Sequence, residues 1–155
     1  MRINSLPKDR KLGLLLHRVF KDFQIRHDMM MANHMFEGLR APHSAITLHL
    51  ADKPRRLSEL AALNNMRPQS MLKLINELEA LGYVERVEDP SDTRAKLVQF
   101  TEQGERMLSA STESAAEIYS HYDSILSSEE MSIDTLVDLM ECLDKKITDQ
   151  PHTSF

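Results

Sequence analysis

Apolar residues recur every three or four positions along most of this chain, which is the spacing of one face of a helix. The pattern predicts a long first helix over residues 8 to 35 and a short second helix over residues 43 to 51, after Pro42. Two long helices are predicted near the C-terminus, over residues 102 to 127 and 129 to 147, with Thr101 capping the first of them. We therefore expect a mainly α fold.

The middle of the chain predicts two shorter helices joined by a tight turn. Ser58 is expected to be the N-cap of a helix that ends at Asn64 and Asn65, because asparagine tolerates a left-handed turn. Pro68 suits the first turn of the next helix, and Gly82 suits its end. Between them the 3.6-residue period is kept by Met71, Leu74, Ile75, Leu78 and Leu81.

Two runs of strand-forming residues follow, over residues 83–87 and 96–100, and they predict a β-hairpin. The segment between them contains Asp89-Pro90-Ser91-Asp92, which is turn composition. Helix, turn, helix and hairpin in this order predict a winged helix-turn-helix core with a small β-hairpin wing. Such a core places one helix in the major groove of DNA and its wing beside the minor groove.

The second helix of this pair would turn a polar face outward. With the apolar stripe buried, that face carries Gln69, Lys73 and Asn76, with Ser70 at its edge. Glutamine and asparagine can pair bidentately with adenine, and lysine can donate to guanine. A polar helix face is usually only solvated, but the neighbouring wing favours contact with bases here.

The wing adds charged residues at its tip. Arg94 stands next to the turn, where an arginine can enter a narrow, electronegative minor groove, and Lys96 lies behind it. Asp92 is close enough in sequence to hydrogen-bond and aim the Arg94 guanidinium. We therefore expect Asp92 to orient the wing.

The charge of −5 is unevenly distributed along the chain. Residues 1–50 carry 8 basic and 4 acidic side chains, residues 51–100 carry 8 of each, and residues 101–155 carry 3 basic against 12 acidic. The acid would lie away from DNA, while residues 53–76 hold five basic residues and one acidic residue and could supply phosphate contacts. The predicted DNA-contacting set is Arg55, Arg56, Ser58, Arg67, Pro68, Gln69, Ser70, Lys73, Asn76, Arg94 and Lys96.

Four segments together resemble the winged-helix core of MarR-type regulators. They are Leu57-Ser58-Glu59-Leu60-Ala61, Arg67-Pro68-Gln69-Ser70-Met71, the stretch from Leu78 to Arg86, and Asp89-Pro90-Ser91-Asp92-Thr93-Arg94. The resemblance is specific over residues 57 to 108. It departs from the family at Thr93, where a first wing arginine is common, at Asn65, which replaces a turn glycine, and at Arg67, which replaces a capping serine.

The resemblance implies a transcription regulator, typically a repressor, that binds a roughly palindromic double-stranded operator as a homodimer. It further implies release by a small-molecule effector that binds in a cleft, with no other cofactor. We expect one domain, in which residues 1–37 and 102–148 form dimerisation helices, 39–101 the DNA-binding lobe and 149–155 a flexible tail. The effector-binding residues are unknown.

Several alternatives stay open from the sequence. A metal-responsive regulator could use histidines near the expected cleft, and an oxidation-responsive one could use Cys142, although a buried, inert thiol is the expectation. The fold could also serve only as a protein-interaction module. We expect no enzyme, because no catalytic motif is present, and a cytoplasmic chain without a membrane partner, because it has one cysteine and its Leu12–Leu16 run is short. The histidines are His17, His27, His34, His43 and His49.

Overall fold

The structure is a computed structural model that describes residues 7–32, 34 and 36–148. The helices are α1 (Lys8–Ala32), α2 (Ser44–Leu50, preceded by the 3₁₀ helix Ala41–His43), α3 (Leu57–Leu63), α4 (Pro68–Ala80), α5 (Glu102–Ser127) and α6 (Ile133–Thr148). The strands are β1 (Arg55–Arg56), β2 (Val84–Asp89) and β3 (Asp92–Phe100). The expected mainly α fold with a small β wing is confirmed. The predicted tail, residues 149–155, lies outside the described residues.

The chain divides into two compact units. One comprises residues 27–113 and contains α2, α3, α4 and the sheet. The other comprises residues up to 26 together with those from 114 onward, and so contains most of α1, the second half of α5 and α6.

The unit of residues 27–113 is built on one apolar core. The stripe predicted on the fourth helix is its centre, since Met71, Ile75 and Leu78 are fully buried and Leu74 nearly so. Burying side chains of this size removes about 1.5–3 kcal/mol of unfavourable hydration each. The rest of the buried cluster is Ile46, Leu50, Leu60, Ala61, Tyr83, Val84, Val98, Phe100 and Met107.

The turn between α3 and α4 follows from its sequence. Asn65 adopts a left-handed conformation (φ 50°), and Pro68 is the first residue of α4. Gly82 follows the end of α4 with φ 80°. The prediction of Ser58 as an N-cap was wrong: α3 begins at Leu57, because the Arg56 N–H is capped by the Glu59 carboxylate at 2.8 Å.

A three-stranded antiparallel sheet forms the wing, in the order β1-β3-β2. The two-residue strand β1, which the sequence pattern did not predict, pairs with Leu97 and Val98. On the other side, Glu88 pairs with Lys96 while Asp89 pairs with Asp92, so the register shifts at this point. Three residues of β3, numbers 93 to 95, therefore bulge out of the ladder at the wing tip.

The second unit contains few buried side chains. Tyr122 donates to Asp22 Oδ2 at 2.8 Å, and a hydrogen bond from Arg26 followed by that from Tyr122 lowers the pKa of Asp22. The predicted start of α6 at residue 129 was wrong, because Glu130 is left-handed (φ 58°) and the Ile133 N–H is capped by the Asp123 carboxylate at 3.1 Å. Over the described residues, no helix is both long and apolar enough to cross a membrane.

Apolar side chains of the second unit remain exposed on two helices. On α6 they recur every three or four residues and form one stripe, which comprises Leu136, Leu139, Met140, Leu143 and Ile147. On α1 they include Leu12, Leu15, Leu16, Val19 and Phe20. Cys142 is also exposed, which corrects the expectation of a buried thiol, and its helical position is about 120° from the centre of the α6 stripe.

Candidate nucleic-acid interface

The predicted polar face of α4 is exposed, and its members lie together. Gln69, Lys73 and Asn76 line one open cleft of about 420 Å³ that also includes Leu72, Glu77 and Ala80. The cleft is opposite the buried stripe of α4, so the core holds the helix while this face stays accessible.

Leu72 also belongs to this face, although the sequence pattern did not single it out. Its side chain is 41% exposed and lies in the cleft between the polar residues. The signal was present in the spacing, because residue 72 is three positions after Gln69 and therefore on the same side of the helix. An exposed leucine among hydrogen-bonding groups provides an apolar contact for a ligand.

One side of α4 is hydrogen-bonded to the segment before α2. His43 is almost fully buried, and its Nδ1 accepts the Arg40 N–H at 3.1 Å. The other ring nitrogen, Nε2, therefore carries the proton and donates to Glu77 Oε2 at 3.1 Å. The bond from His43, followed by that from the Arg40 guanidinium, lowers the pKa of Glu77. These bonds hold α4 in place beside the cleft.

Three of the five histidines considered as metal ligands are engaged in other contacts. His43 has the bonds just described, His27 Nε2 lies 2.9 Å from Ser111 Oγ, and His34 stacks on Phe36. Among the residues that the structure describes, no three histidine, cysteine or acidic side chains are grouped so that they could hold a metal ion.

Arg86 of β2 contacts the other side of α4. Its Nη2 donates to Asn76 Oδ1 at 2.5 Å, and its Nη1 lies 2.6 Å from Glu79 Oε2. Asn76 was predicted on the outward face of α4 from the helical period, but this partner was not predicted. The amide of Asn76 is thus held in one orientation.

At the wing tip, Arg94 is exposed at the centre of the bulge in β3. Asp92 does shape this tip, but not as predicted: Asp92 Oδ1 accepts the backbone N–H of Arg94 at 3.1 Å instead of its guanidinium. The bulge, and not a bond to the guanidinium, therefore projects this side chain. Lys96 lies behind the tip, with Nζ 3.4 Å from Glu88 Oε1.

The base of the wing is braced by Arg56. Its Nε donates to Asp89 Oδ2 at 2.7 Å, and its Nη2 contacts the same carboxylate. Asp89 is buried, and it also accepts from the hydroxyl and the N–H of Ser91. The bonds from Ser91, followed by that from Arg56, lower the pKa of Asp89 to about 2. A charged, hydrogen-bonded Asp89 thus fixes the wing turn to β1.

These contacts bear on two basic residues that were predicted to contact DNA phosphates. Arg56 was expected to contact phosphate, but its guanidinium is bound to the wing turn. Arg55, also expected there, is only 18% exposed and donates to the His49 carbonyl and to Asp52. Both arginines stabilise the lobe instead of extending freely toward a ligand.

The remaining predicted residues surround the N-terminus of α4. Arg67, Pro68 and Ser70 are exposed in its first turn, where the Arg67 carbonyl accepts the Ser70 N–H at 3.0 Å. Ser58 is exposed in the first turn of α3. The exposed helix face and the projecting wing arginine have the shape that fits a major groove and the adjacent minor groove.

Comparisons with known proteins agree with this geometry. Residues 37–95 match the model of the MarR family, and no protein of curated function matches the chain by sequence. CouR from Rhodococcus jostii RHA1, solved with p-coumaroyl-CoA, is 25% identical with a TM-score of 0.71, covering 97% of this chain and 99% of that one. A MarR-family transcriptional regulator from Rhodococcus sp. RHA1 is 25% identical (TM-score 0.66, coverage 92% and 97%). The multiple antibiotic resistance repressor MarR is 18% identical (TM-score 0.68, coverage 92% and 99%).

Proposed function

We propose that this chain, a winged-helix DNA-binding regulator of the MarR family, represses transcription by binding a roughly palindromic operator as a homodimer. Proteins that share its fold are described as transcriptional regulators and not as enzymes, and we assign it no catalytic activity. Because the operator is genomic DNA, we place the chain in the cytoplasm. The observation that carries the proposal is the exposed face of α4 beside the projecting Arg94.

In this proposal α4 enters the major groove. Gln69 and Lys73 contact base edges there, while Arg67 and Ser70 at the helix start contact phosphates. Arg94 enters the neighbouring minor groove from the bulge, and Lys96 contacts the backbone. Arg55 and Arg56 are left out of the interface because their guanidinium groups are bound within the lobe.

Leu72 has a separate part in the same groove. Thymine is the base that presents a methyl group in the major groove, and apolar side chains recognise it by contact. Leu72 is an exposed leucine in the α4 cleft, which it shares with the hydrogen-bonding side chains of Gln69 and Lys73. We infer that it packs against a thymine methyl in each half-site.

A second copy of this chain is the partner that suits the apolar stripe of α6 and the exposed leucines of α1. Contiguous apolar surfaces of this kind are rare on monomers, and helices with such stripes pack against one another. A two-fold dimer presents two α4 helices to half-sites about one helical turn apart.

Control by a small molecule is part of the proposal. CouR was solved with p-coumaroyl-CoA, which supports a bound effector for a protein of this fold. An effector that binds one arrangement of the two α4 helices more tightly shifts the dimer toward it and so releases the operator. A ligand of the folded dimer must raise its melting temperature, so a thermal-shift screen of phenolic acids, acyl-CoA thioesters and divalent metals would identify its class.

The DNA-binding claim is tested by selecting duplexes from a random library and measuring affinity by fluorescence anisotropy. The intergenic DNA next to the chain's own gene is the second source of operators. Lys73→Ala should weaken binding of the selected duplex by about tenfold or more and relax its sequence preference. Arg94→Ala should weaken binding. It should also lower the number of counterions released, measured from the slope of log affinity against log salt concentration, by about one per half-site.

Lys145→Ala is the matched control, because it removes the same charge from an exposed position in the last turn of α6, on the side of the helix away from its apolar stripe. It should bind like the wild type. If neither Lys73→Ala nor Arg94→Ala differs from this control, the proposed interface is wrong. If the wild type retains no duplex even at low salt, the fold serves as a protein-interaction module.

A further inference from the structure

The contact between Arg86 and Asn76 bears on which base the helix selects. Asn76 lies on the exposed face of α4, in the same cleft as Gln69 and Lys73. Arg86 approaches it from β2, ten residues later in the chain, with 2.5 Å between Nη2 and Oδ1. The two residues belong to the same compact unit, so the contact is internal to the DNA-binding lobe.

The chemistry of the two groups fixes the orientation of the amide. A guanidinium group only donates hydrogen bonds, so the Asn76 atom that faces it is the oxygen and not the nitrogen. Glu79 Oε2 lies 2.6 Å from Nη1 of the same guanidinium and keeps it in place. Rotating the amide would set its N–H groups against those of Arg86. The nitrogen of Asn76, which carries two donors, is therefore the end left for a ligand.

Bases differ in what they offer to such a donor. Guanine presents two acceptors in the major groove, N7 and O6, whereas adenine presents one, N7, and thymine presents one, O4. The bidentate pairing of asparagine with adenine needs the amide oxygen to accept from N6, and cytosine offers a donor at N4. An amide whose oxygen is occupied by Arg86 suits guanine and has no complement for cytosine.

We propose that Arg86 is a positioning residue that makes Asn76 a hydrogen-bond donor to bases, so that the operator base facing Asn76 is guanine. The proposal rests on the proposed function, in which α4 enters the major groove. It replaces the adenine pairing expected from the residue type alone. Glu79 supports the same arrangement by holding the guanidinium.

The test is base preference, which a merely structural role for Arg86 would not change. Duplexes are selected from a random library with the wild type, Asn76→Ala, Arg86→Met and Glu79→Gln. The position where Asn76→Ala loses its preference is the one that Asn76 faces, and the wild type should select guanine there. Arg86→Met frees the amide oxygen and should shift the preference toward adenine by about tenfold. Glu79→Gln keeps an acceptor for Arg86 and should keep the guanine preference.

A chemical probe makes the result independent of whether Arg86→Met folds. Replacing that guanine by 7-deazaguanine removes the N7 acceptor and should weaken wild-type binding about tenfold, with no effect on Asn76→Ala. Wild-type preference for adenine at this position would overturn the inference, because Oδ1 would then accept from adenine as well as from Arg86. An unchanged guanine preference in folded Arg86→Met would also overturn it. A wild type that selects no sequence would overturn the proposed function itself, and this inference with it.

Discussion

The contact proposed for Leu72 leads to a prediction that involves one methyl group. Uracil differs from thymine only by lacking the C5 methyl, so replacing one thymine per half-site by uracil removes that contact and leaves the hydrogen bonds of the base pair. The protein side is changed by Leu72→Ala. Because Leu72 is 41% exposed and outside the core cluster, this truncation should change the stability of the lobe by no more than about 0.5 kcal/mol.

The size of the effect follows from the area that the contact covers. Burying one methyl group stabilises a complex by about 0.8 kcal/mol, which is about fourfold in affinity. In the proposed dimer, two half-sites double this to about 1.6 kcal/mol, or about 15-fold. Replacing thymine by uracil at one position of each half-site should weaken wild-type binding by this factor. At the same position Leu72→Ala should bind thymine and uracil duplexes equally. The four dissociation constants form a double-mutant cycle with a coupling energy of the same size.

Fluorescence anisotropy on the selected operator, with each thymine of a half-site replaced in turn, measures these constants. Leu48→Ala is the control, because Leu48 is an exposed leucine on α2 and outside the α4 cleft. That variant should keep the wild-type sensitivity to uracil. The contact is refuted if the wild type binds equally well with uracil at every position. It is also refuted if replacing thymine by uracil weakens binding of Leu72→Ala as much as it weakens binding of the wild type.

Three further predictions concern the fold. The pKa of Asp89 is about 2, below its ordinary value of 3.8, so its charge stabilises the fold above about pH 4 and this stabilisation is lost as the pH falls toward 2. The melting temperature of Asp89→Asn should therefore fall less steeply than that of the wild type over this range. Equal slopes would contradict the stabilising role of the Arg56–Asp89 ion pair. Gly104→Ala should lower the free energy of unfolding, measured in urea, by about 3 kcal/mol, because the new Cβ would overlap the Tyr83 carbonyl oxygen. Gly13→Ala should raise it by up to about 1 kcal/mol, because no atom lies within 4 Å of the new Cβ and alanine favours the helix. Cys142 is exposed, so it should react with a thiol reagent in the native protein without unfolding, and a reaction limited by the unfolding rate would show that it is covered.

The bounds of α4 were predictable because its determinants are local. Pro68 starts the helix, Gly82 follows its end, and the buried residues between them keep a strict helical period. The left-handed turn at Asn65 was predictable for the same reason. Each of these features depends on one residue type and its immediate neighbours.

Elements that depend on a distant or competing partner were missed. Strand β1 has two residues, too few for a pattern, and exists because β3 pairs with it 41 to 43 residues later. The start of α3 was misplaced because Glu59 caps the Arg56 N–H, which left Ser58 inside the helix.

The residue types of the candidate interface were predictable, but their partners were not. The outward face of α4 followed from its period, whereas the bond from Arg86 to Asn76 depends on how β2 packs beside the helix. The ion pair of Arg56 with Asp89 joins residues 33 positions apart, and net charge alone could not distinguish this brace from a phosphate contact.

The central claim is that α4 and the wing together bind duplex DNA. Hydroxyl-radical footprinting of the protein on its selected operator tests this most directly, because it maps contacts on each strand. We predict two protected half-sites about one helical turn apart, each flanked by a protected minor groove that becomes accessible in Arg94→Ala while the half-sites stay protected. Absence of protection, or a footprint that Arg94→Ala leaves unchanged, would contradict the claim.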